Sequence, residues 1–312
     1  MSMSRVSRVL EAGALAAGIA LAAWLSSSGA QAQDLEPRAY SAVPVGINFA
    51  LFTYARSAGD IAFDPSVPVT DGQAKVDTYA LGYSRSFGLA GQTASLAVIA
   101  PYIRGDVSGI VQDTPAQAHR AAIGDLRLRL AENLLGNPVL TPAEFARRAP
   151  TTTAGASLLV IAPTGQYDSS HLVNVGSNRW TFKPELGVSH PMGDWFIEGI
   201  AGVWLYTDNP DFYGGQRRSQ DPLWTLQAHG GYNFRPGLWL AVDATHYTGG
   251  QTSLNGAQQQ DYQRATRYGV TLSVPLDPDW SVKLAWSNAL TTRVGGKFNT
   301  IAATLQYRWF DP

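Results

Sequence analysis

Residues 179–189 carry the clearest pattern of polar and apolar positions in the chain. One set of alternate residues is polar or small: Arg179, Thr181, Lys183, Glu185, Gly187 and Ser189. The residues between them are apolar: Trp180, Phe182, Pro184, Leu186 and Val188. Successive side chains of a β-strand point to opposite faces, so the pattern predicts a strand with one polar and one apolar face. Helical spacing would mix the two kinds of residue around the helix.

The same alternation recurs about a dozen times along the chain. Each segment is close to the roughly 9–11 residues that a tilted strand needs to cross a bilayer. The predicted strands are 45–57, 75–87, 93–104, 119–130, 152–165, 179–189, 195–207, 222–234, 238–247, 262–275, 280–290 and 298–310.

Short and long connections alternate between these strands. The short ones are 88–92, 191–194, 235–237 and 276–279, and the long ones are 58–74, 105–118, 166–176, 208–220, 249–261 and 291–297. Outer-membrane barrels have short periplasmic turns and longer extracellular loops. We therefore predict an all-β fold, an antiparallel transmembrane β-barrel of about 12 strands with both ends of the chain in the periplasm. A periplasmic β-sandwich is the alternative.

The connection 132–150 is long, although the alternation of short and long connections predicts a short turn at this point of the chain. Thr141, Pro142 and Glu144 have the spacing of a helix cap, a proline in the first turn and a capping glutamate. The segment therefore contains either a short periplasmic helix or a disordered turn.

Residues 1–32 have the features of a cleaved signal peptide. Arg5 and Arg8 precede an apolar run at 12–25, and Ala30-Gln31-Ala32 is a small-x-small cleavage site. A membrane anchor is the alternative, but the run is shorter than the roughly 20 residues of a spanning helix. The predicted barrel domain is then 33–312, with a periplasmic N-terminal segment at 33–44.

Removing the signal peptide lowers Lys plus Arg from 23 to 21 and Asp plus Glu from 24 to 23, so the mature net charge is −2. This charge does not favour a nucleic-acid partner. The predicted location is the outer membrane of a Gram-negative cell, and the predicted partners are outer-membrane lipid and a small-molecule solute.

Three tryptophans directly follow short turns: Trp195, Trp239 and Trp280. Aromatic residues form girdles at the membrane interfaces of barrels, so we predict that these three belong to the periplasmic girdle.

Several short motifs together resemble one protein family. They include Glu36-Pro37-Arg38-Ala39-Tyr40-Ser41, Gly124-Asp125-Leu126-Arg127, Asn178-Arg179-Trp180, Gly214-Gly215-Gln216-Arg217-Arg218 and the closing Gln306-Tyr307-Arg308-Trp309. The chain is similar over nearly all of its mature length to the phenol-degradation meta-pathway (MetA-pathway) outer-membrane family, which is described as transporter-like. The resemblance implies a barrel in the outer membrane and implies no catalytic residue.

The sequence offers little catalytic or metal-binding chemistry. None of the five histidines, His119, His171, His190, His229 and His246, has the spacing of a metal-ligand pair. We therefore expect no enzyme activity, no metal and no cofactor.

The polar strand face supplies the candidate functional residues. A charge facing lipid costs about 2–4 kcal/mol at the bilayer centre, so charged strand residues are expected to face the lumen. The predicted pore-lining residues are Asp125, Arg127, Arg129, Arg179, Lys183, Glu185, Gln227, His229, Asp243, Arg267, Lys283, Gln306 and Arg308.

About eight strands give a filled barrel and about sixteen an aqueous channel, so twelve strands leave two interpretations open. We expect a channel or transporter for passive uptake of small solutes, aromatic or weakly charged, with a mild anion preference set by Arg127, Arg129, Arg179 and Lys183. The alternatives are a structural barrel with a blocked lumen and a lipid-active barrel enzyme.

Overall fold

The computed structural model describes residues 36–62, 69–111 and 113–311. The predicted signal peptide and its cleavage site lie outside the described residues. Nearly all of the described chain is antiparallel β-structure. The strands are β1 (Ile47–Ala62), β2 (Val69–Leu89), β3 (Gln92–Val111), β4 (Thr114–Ile123), β5 (Leu126–Leu135), β6 (Thr153–Ala162), β7 (Thr181–Met192), β8 (Trp195–Tyr206), β9 (Asn209–Phe212), β10 (Gln216–Gln220), β11 (Leu223–Arg235), β12 (Leu238–Gly249), β13 (Thr252–Leu254), β14 (Ala257–Gln258), β15 (Gln263–Pro275), β16 (Trp280–Thr292) and β17 (Gly295–Phe310).

Thirteen of these strands form one closed sheet, in which β4 and β5 share a single position, so the wall is a 12-strand barrel. This confirms the predicted fold class. Each wall strand pairs with its neighbour along the chain, and β1 closes the barrel against β17. Closure pairs the backbone groups that an open sheet would leave exposed at its edges. The tight turns lie at one end of the barrel, here named the short-turn end, and the other end is named the loop end.

Asp311 fixes the seam between the first and last strands at the short-turn end. Its carboxylate accepts hydrogen bonds from Asn48 Nδ2 at 2.8 Å and Arg85 Nη2 at 2.7 Å, and its backbone N–H donates to the Gly46 carbonyl at 2.8 Å. The residue that follows the terminal aromatic Phe310 therefore ties the two ends of the wall together.

The predicted faces of β7 are the faces that the structure shows. Lys183 and Glu185 are buried inside the barrel, whereas Leu186 and Val188 are 64% and 48% exposed on its outer surface. Large apolar side chains are likewise exposed around the wall: Leu81, Leu130, Leu226, Val242 and Ile301. A soluble monomer rarely exposes so much apolar surface, and a bilayer covers it.

The wall strand between β3 and β6 is interrupted at Gly124 and Asp125, where β4 ends and β5 begins. The Asp125 carboxylate accepts hydrogen bonds from the Gly165 N–H at 2.9 Å, the Ser177 N–H at 2.9 Å and Ser177 Oγ at 2.6 Å. The interruption therefore anchors residues 163–180, the connection from β6 to β7 at the loop end.

Two connections predicted as long loops form a small sheet at the loop end. Strands β9, β10, β13 and β14 pair in the order β14-β13-β10-β9. Phe212 and Leu254 are buried together in this sheet, and Leu172 and Tyr213 pack against them.

A helix, α1 (Pro142–Ala146), lies in the connection between β5 and β6. Thr141 and Glu144 form the predicted capping box, with the Thr141 N–H donating to Glu144 Oε2 at 2.9 Å. The prediction of a short helix here is confirmed. Within the described ranges, no helix has the length and apolar character needed to span a membrane.

The predicted tryptophan girdle is wrong at Trp239 and stays a prediction for Trp195 and Trp280. Trp195 and Trp280 are exposed on the outer surface, but Trp239 is buried and lines the lumen. Trp195 and Trp280 are the first residues of their strands, whereas Trp239 is the second residue of β12. A shift of one residue in a strand turns the side chain to the other face.

Candidate functional site

A cavity of about 970 Å³ extends from the middle of the lumen to the short-turn end. Its walls come from inward-facing residues of the barrel strands, and residues 36–44, which precede β1, also line it. The turn residues 235–237 and 276–279 surround its outer part. This cavity is the candidate site for a solute inside the barrel.

The lining of the cavity includes large apolar side chains. Phe49 and Leu51 of β1, Ile99 of β3, Leu159 of β6 and Ile200 of β8 line it. The interior of an outer-membrane barrel is usually polar, so large apolar side chains here are unusual. Apolar side chains line most pockets that bind small organic molecules.

The same cavity carries an excess of positive charge. Seven basic and four acidic residues line it: Arg38, Arg127, Arg129, Lys183, Arg235, Lys283 and Arg308, and Glu36, Glu185, Asp277 and Asp279. Lys183 Nζ lies 2.8 Å from Glu185 Oε1. This pairing compensates one positive charge with one negative charge and leaves the excess unchanged.

Residues 36–44 are the described part of the predicted N-terminal segment 33–44. They lie inside the barrel. Tyr40 is 2% exposed, and its hydroxyl lies 2.8 Å from Ser157 Oγ on β6. Thr153 Oγ1 donates a hydrogen bond to the Tyr40 carbonyl at 2.6 Å. A Cβ atom on Gly187 would lie 2.2 Å from the Tyr40 ring, so the ring fits only because this wall position is glycine.

Glu198 on β8 holds the backbone of this segment. The N–H groups of Arg38 and Tyr40 donate to its two carboxylate oxygens, the second at 2.7 Å. The Arg38 side chain donates to Asn233 Oδ1 at 2.8 Å and lies 4.9 Å from the centre of the Phe196 ring. Hydrogen bonds to a charged acceptor are stronger than those between neutral groups, so Glu198 is the main polar anchor of the segment.

A buried histidine–aspartate pair lies beside this anchor. His229 is the cross-strand neighbour of Glu198, and its Nδ1 lies 2.7 Å from Asp243 Oδ1. Thr271 Oγ1 donates to Asp243 Oδ2 at 2.7 Å. Both side chains of the pair have 0% exposure, so the pair links three wall strands and offers a substrate no access.

The predicted pore-lining residues separate into two groups. Eight line the cavity: Arg127, Arg129, Lys183, Glu185, Gln227, Lys283, Gln306 and Arg308. Asp125 anchors the connection 163–180, and Arg179 lies between the cavity and the loop-end sheet. His229, Asp243 and Arg267 are buried in hydrogen bonds within the lumen. The role of all thirteen in solute passage stays a prediction.

Sequence reasoning missed the residues that dock the N-terminal segment. Contact between Tyr40 and distant strands leaves no periodic signal along the chain. One signal for Glu198 does exist, because it is the single charged residue of β8. A lone buried charge requires a partner, and here the partner is the backbone of residues 38–40.

Three solved outer-membrane barrels are similar in structure to this chain. The crystal structure of the COG4313 outer membrane channel from Pseudomonas putida F1 is similar, with a TM-score of 0.76 and 24% identity, covering 88% of this chain and 100% of that chain. The KdgM porin (11% identity, 82% and 98% coverage, TM-score 0.45) and the NanC porin (12% identity, 84% and 100% coverage, TM-score 0.45) are more distant. No curated protein matches the sequence.

The fold of this chain is thus that of the Pseudomonas channel. A family profile covers almost the whole sequence, from residue 15 to residue 307. The chain belongs to the family described as "Putative MetA-pathway of phenol degradation".

Proposed function

We propose that the protein is an outer-membrane channel for the passive passage of small solutes, and that it favours aromatic solutes with a weak negative charge. The observation that carries this proposal is the cavity inside the closed barrel, whose lining combines large apolar side chains with an excess of arginine and lysine. Family membership and the similar fold of an outer-membrane channel support it.

The size of the cavity agrees with a small organic solute. Its volume of about 970 Å³ is within the range of roughly 300–1,000 Å³ that is usual for small-molecule pockets. Basic residues lining a pore favour anions. Apolar residues such as Phe49 and Leu51 provide contact for a ring, and the basic residues attract a negative charge, so the lining suits both parts of an aromatic anion.

A structural barrel with a blocked lumen is the second candidate, and one observation favours it. Residues 36–44 are held inside the lumen by Glu198 and by the buried Tyr40 ring. In the channel that we propose, this segment narrows the passage and solutes move past it or displace it. We do not propose a lipid-active enzyme, because no contact among the described residues favours one over a channel; the His229–Asp243 pair, for example, ties wall strands together.

Uptake into proteoliposomes tests the proposal. Benzenesulfonate and phenyltrimethylammonium have similar ring sizes and permanent opposite charges, so neither crosses lipid in a neutral form. We expect both to enter faster than in protein-free liposomes, with benzenesulfonate the faster of the two. Equal, background-level entry of both probes with correctly folded protein would support the blocked barrel and contradict the channel.

A further inference from the structure

Basic side chains lie against aromatic rings from the cavity to the loop end. The three pairs, with the distance from the cation to the ring centre, are Lys183 and Trp204 (4.6 Å), Arg179 and Tyr206 (4.3 Å), and Arg218 and Phe212 (5.3 Å). Lys183 and Trp204 line the cavity, and Arg218 belongs to the loop-end sheet. Arg179 therefore occupies the middle of a series that connects the cavity with the loop end.

Arg179 has donor capacity that the described residues do not use. It is 3% exposed, and its Nη2 donates to Gln220 Oε1 at 2.6 Å. Gln220 Nε2 donates to the Gly250 carbonyl at 2.9 Å, which fixes the orientation of the amide. The Arg179 Nη1 atom is buried and has no hydrogen-bond partner among the described residues. A guanidinium carries five N–H donors in a planar fork that matches an anionic group.

A second buried guanidinium adds positive charge beside Arg179. Arg218 is also 3% exposed. Burial, and after it the charge of Arg179, lowers the pKa of Arg218 to about 9, so Arg218 stays cationic at neutral pH. The two buried cations repel each other, and an anion bound near both reduces that repulsion.

The two carboxylates whose charges reach Arg179 have other partners, and a third carboxylate, Asp261, acts on Arg218. Asp125 acts on Arg179, Asp261 acts on Arg218, and Asp208 acts on Arg179. Their own contacts are Asp125 with Ser177 Oγ at 2.6 Å, Asp208 with Arg217 Nη2 at 2.6 Å and Asp261 with Thr252 Oγ1 at 2.6 Å. Among the described residues, no carboxylate therefore forms an ion pair with Arg179.

An apolar aromatic cluster joins Arg179 to the cavity. Trp204, Leu223, Tyr247 and Ile161 are buried together in the lumen, and Tyr206 packs against them. Tyr206 contacts Arg179, and Trp204 lines the cavity. The ring of an aromatic solute that moved from Arg179 to the cavity would therefore contact aromatic side chains along its path.

We infer that Arg179, with Arg218 beside it, binds the anionic group of a small aromatic solute on its way between the loop end and the cavity. This inference rests on the proposed function and names its solute class: aromatic anions, held by the guanidinium fork and by Tyr206 and Trp204. Both guanidinium groups are buried here, so the solute reaches Arg179 when the Tyr206 ring or the loop-end sheet moves.

Binding and block measurements on the folded full barrel test this site. Isothermal titration with benzenesulfonate, and block of single-channel currents in KCl by the same probe, are compared for the natural protein, Arg179→Gln and Arg179→Lys. The matched control is Arg293→Gln, because Arg293 is an exposed arginine at the loop end, in the connection between β16 and β17. Loss of a hydrogen-bonded ion contact predicts about a tenfold or larger rise in the Kd and the half-blocking concentration for Arg179→Gln. Arg179→Lys is expected to be intermediate and Arg293→Gln unchanged.

Each result decides one question. Equal shifts for Arg179→Gln and Arg293→Gln, or no shift for either, would overturn the Arg179 site. Inorganic phosphate is the second probe. If it blocks the channel as strongly as benzenesulfonate does, and this block also depends on Arg179, then the solute need not be aromatic and the site binds free anions. If the natural protein gives no current but titration shows Arg179-dependent binding, the proposed channel fails and the site stands. If Arg179→Gln does not fold, as judged by heat-modifiable gel migration, Arg179→Lys against the natural protein decides the outcome.

Discussion

The docking of the N-terminal segment predicts a specific effect of Gly187→Ala. The added Cβ would lie 2.2 Å from one Tyr40 ring atom and 2.3 Å from another. Favourable carbon–carbon contacts lie at about 3.5–4.0 Å, so the ring and the new methyl group cannot both occupy these positions. The wall strand is held by two neighbouring strands, and we therefore expect the segment to leave the lumen rather than the strand to move.

The size of the effect follows from the burial of Tyr40. Its ring is almost fully buried, and loss of a buried aromatic contact costs about 3 kcal/mol at the low end of the usual range. About 1.4 kcal/mol corresponds to a tenfold change in an equilibrium constant, so the ratio of docked to undocked segment should fall about a hundredfold.

Limited trypsin digestion of the folded protein measures this change. Cleavage after Arg38 requires the undocked segment, and its rate follows the undocked population when docking is fast. The matched control is Gly199→Ala, because a Cβ on Gly199 of the adjacent strand β8 meets nothing within 4 Å. We expect faster cleavage after Arg38 only in Gly187→Ala, together with larger single-channel conductance. Equal cleavage rates in the two variants would refute the docking argument.

Three further substitutions test the lumen and the wall. Glu198→Gln should weaken docking about tenfold, less than Gly187→Ala, because a neutral amide replaces a charged acceptor; an unchanged trypsin cleavage rate after Arg38 would contradict this role. Lys183→Gln should shift the reversal potential toward cations, since it leaves the charge of Glu185 uncompensated beside the cavity; an unchanged reversal potential would remove Lys183 from the selectivity set. Trp180→Arg should reduce the folded fraction on heat-modifiable gels, because it places a charge on the outer surface at a cost of up to about 2–4 kcal/mol; full folding would show that this position does not contact lipid.

The alternation of residues was sufficient to predict the barrel, because lipid imposes an apolar outer face on every wall strand. It predicted the number of wall strands and the faces of β7, and the spacing of Thr141, Pro142 and Glu144 predicted the short helix. The limit of alternation appears at β1, where Phe49 and Leu51 face the lumen. Alternation divides a strand into two faces, but it does not say which face is inside when both are apolar.

The contents of the lumen depend on contacts that have no local signal. Tyr40 lies more than a hundred residues from Ser157 and Gly187, and the polar atoms that hold its segment come from several wall strands. The loop-end sheet was also missed, because β13 and β14 are too short for a period to be recognised. Asp125 shows the same limit, since its partners Gly165 and Ser177 belong to a connection that follows a later strand.

Single-channel recording in planar bilayers under a KCl gradient tests the central claim most directly. The positively charged lumen predicts discrete current steps from the purified natural protein and a reversal potential displaced from zero toward the chloride equilibrium potential. Correctly folded protein that gives no current steps, or whose reversal potential shows cation preference, would contradict an anion-favouring channel.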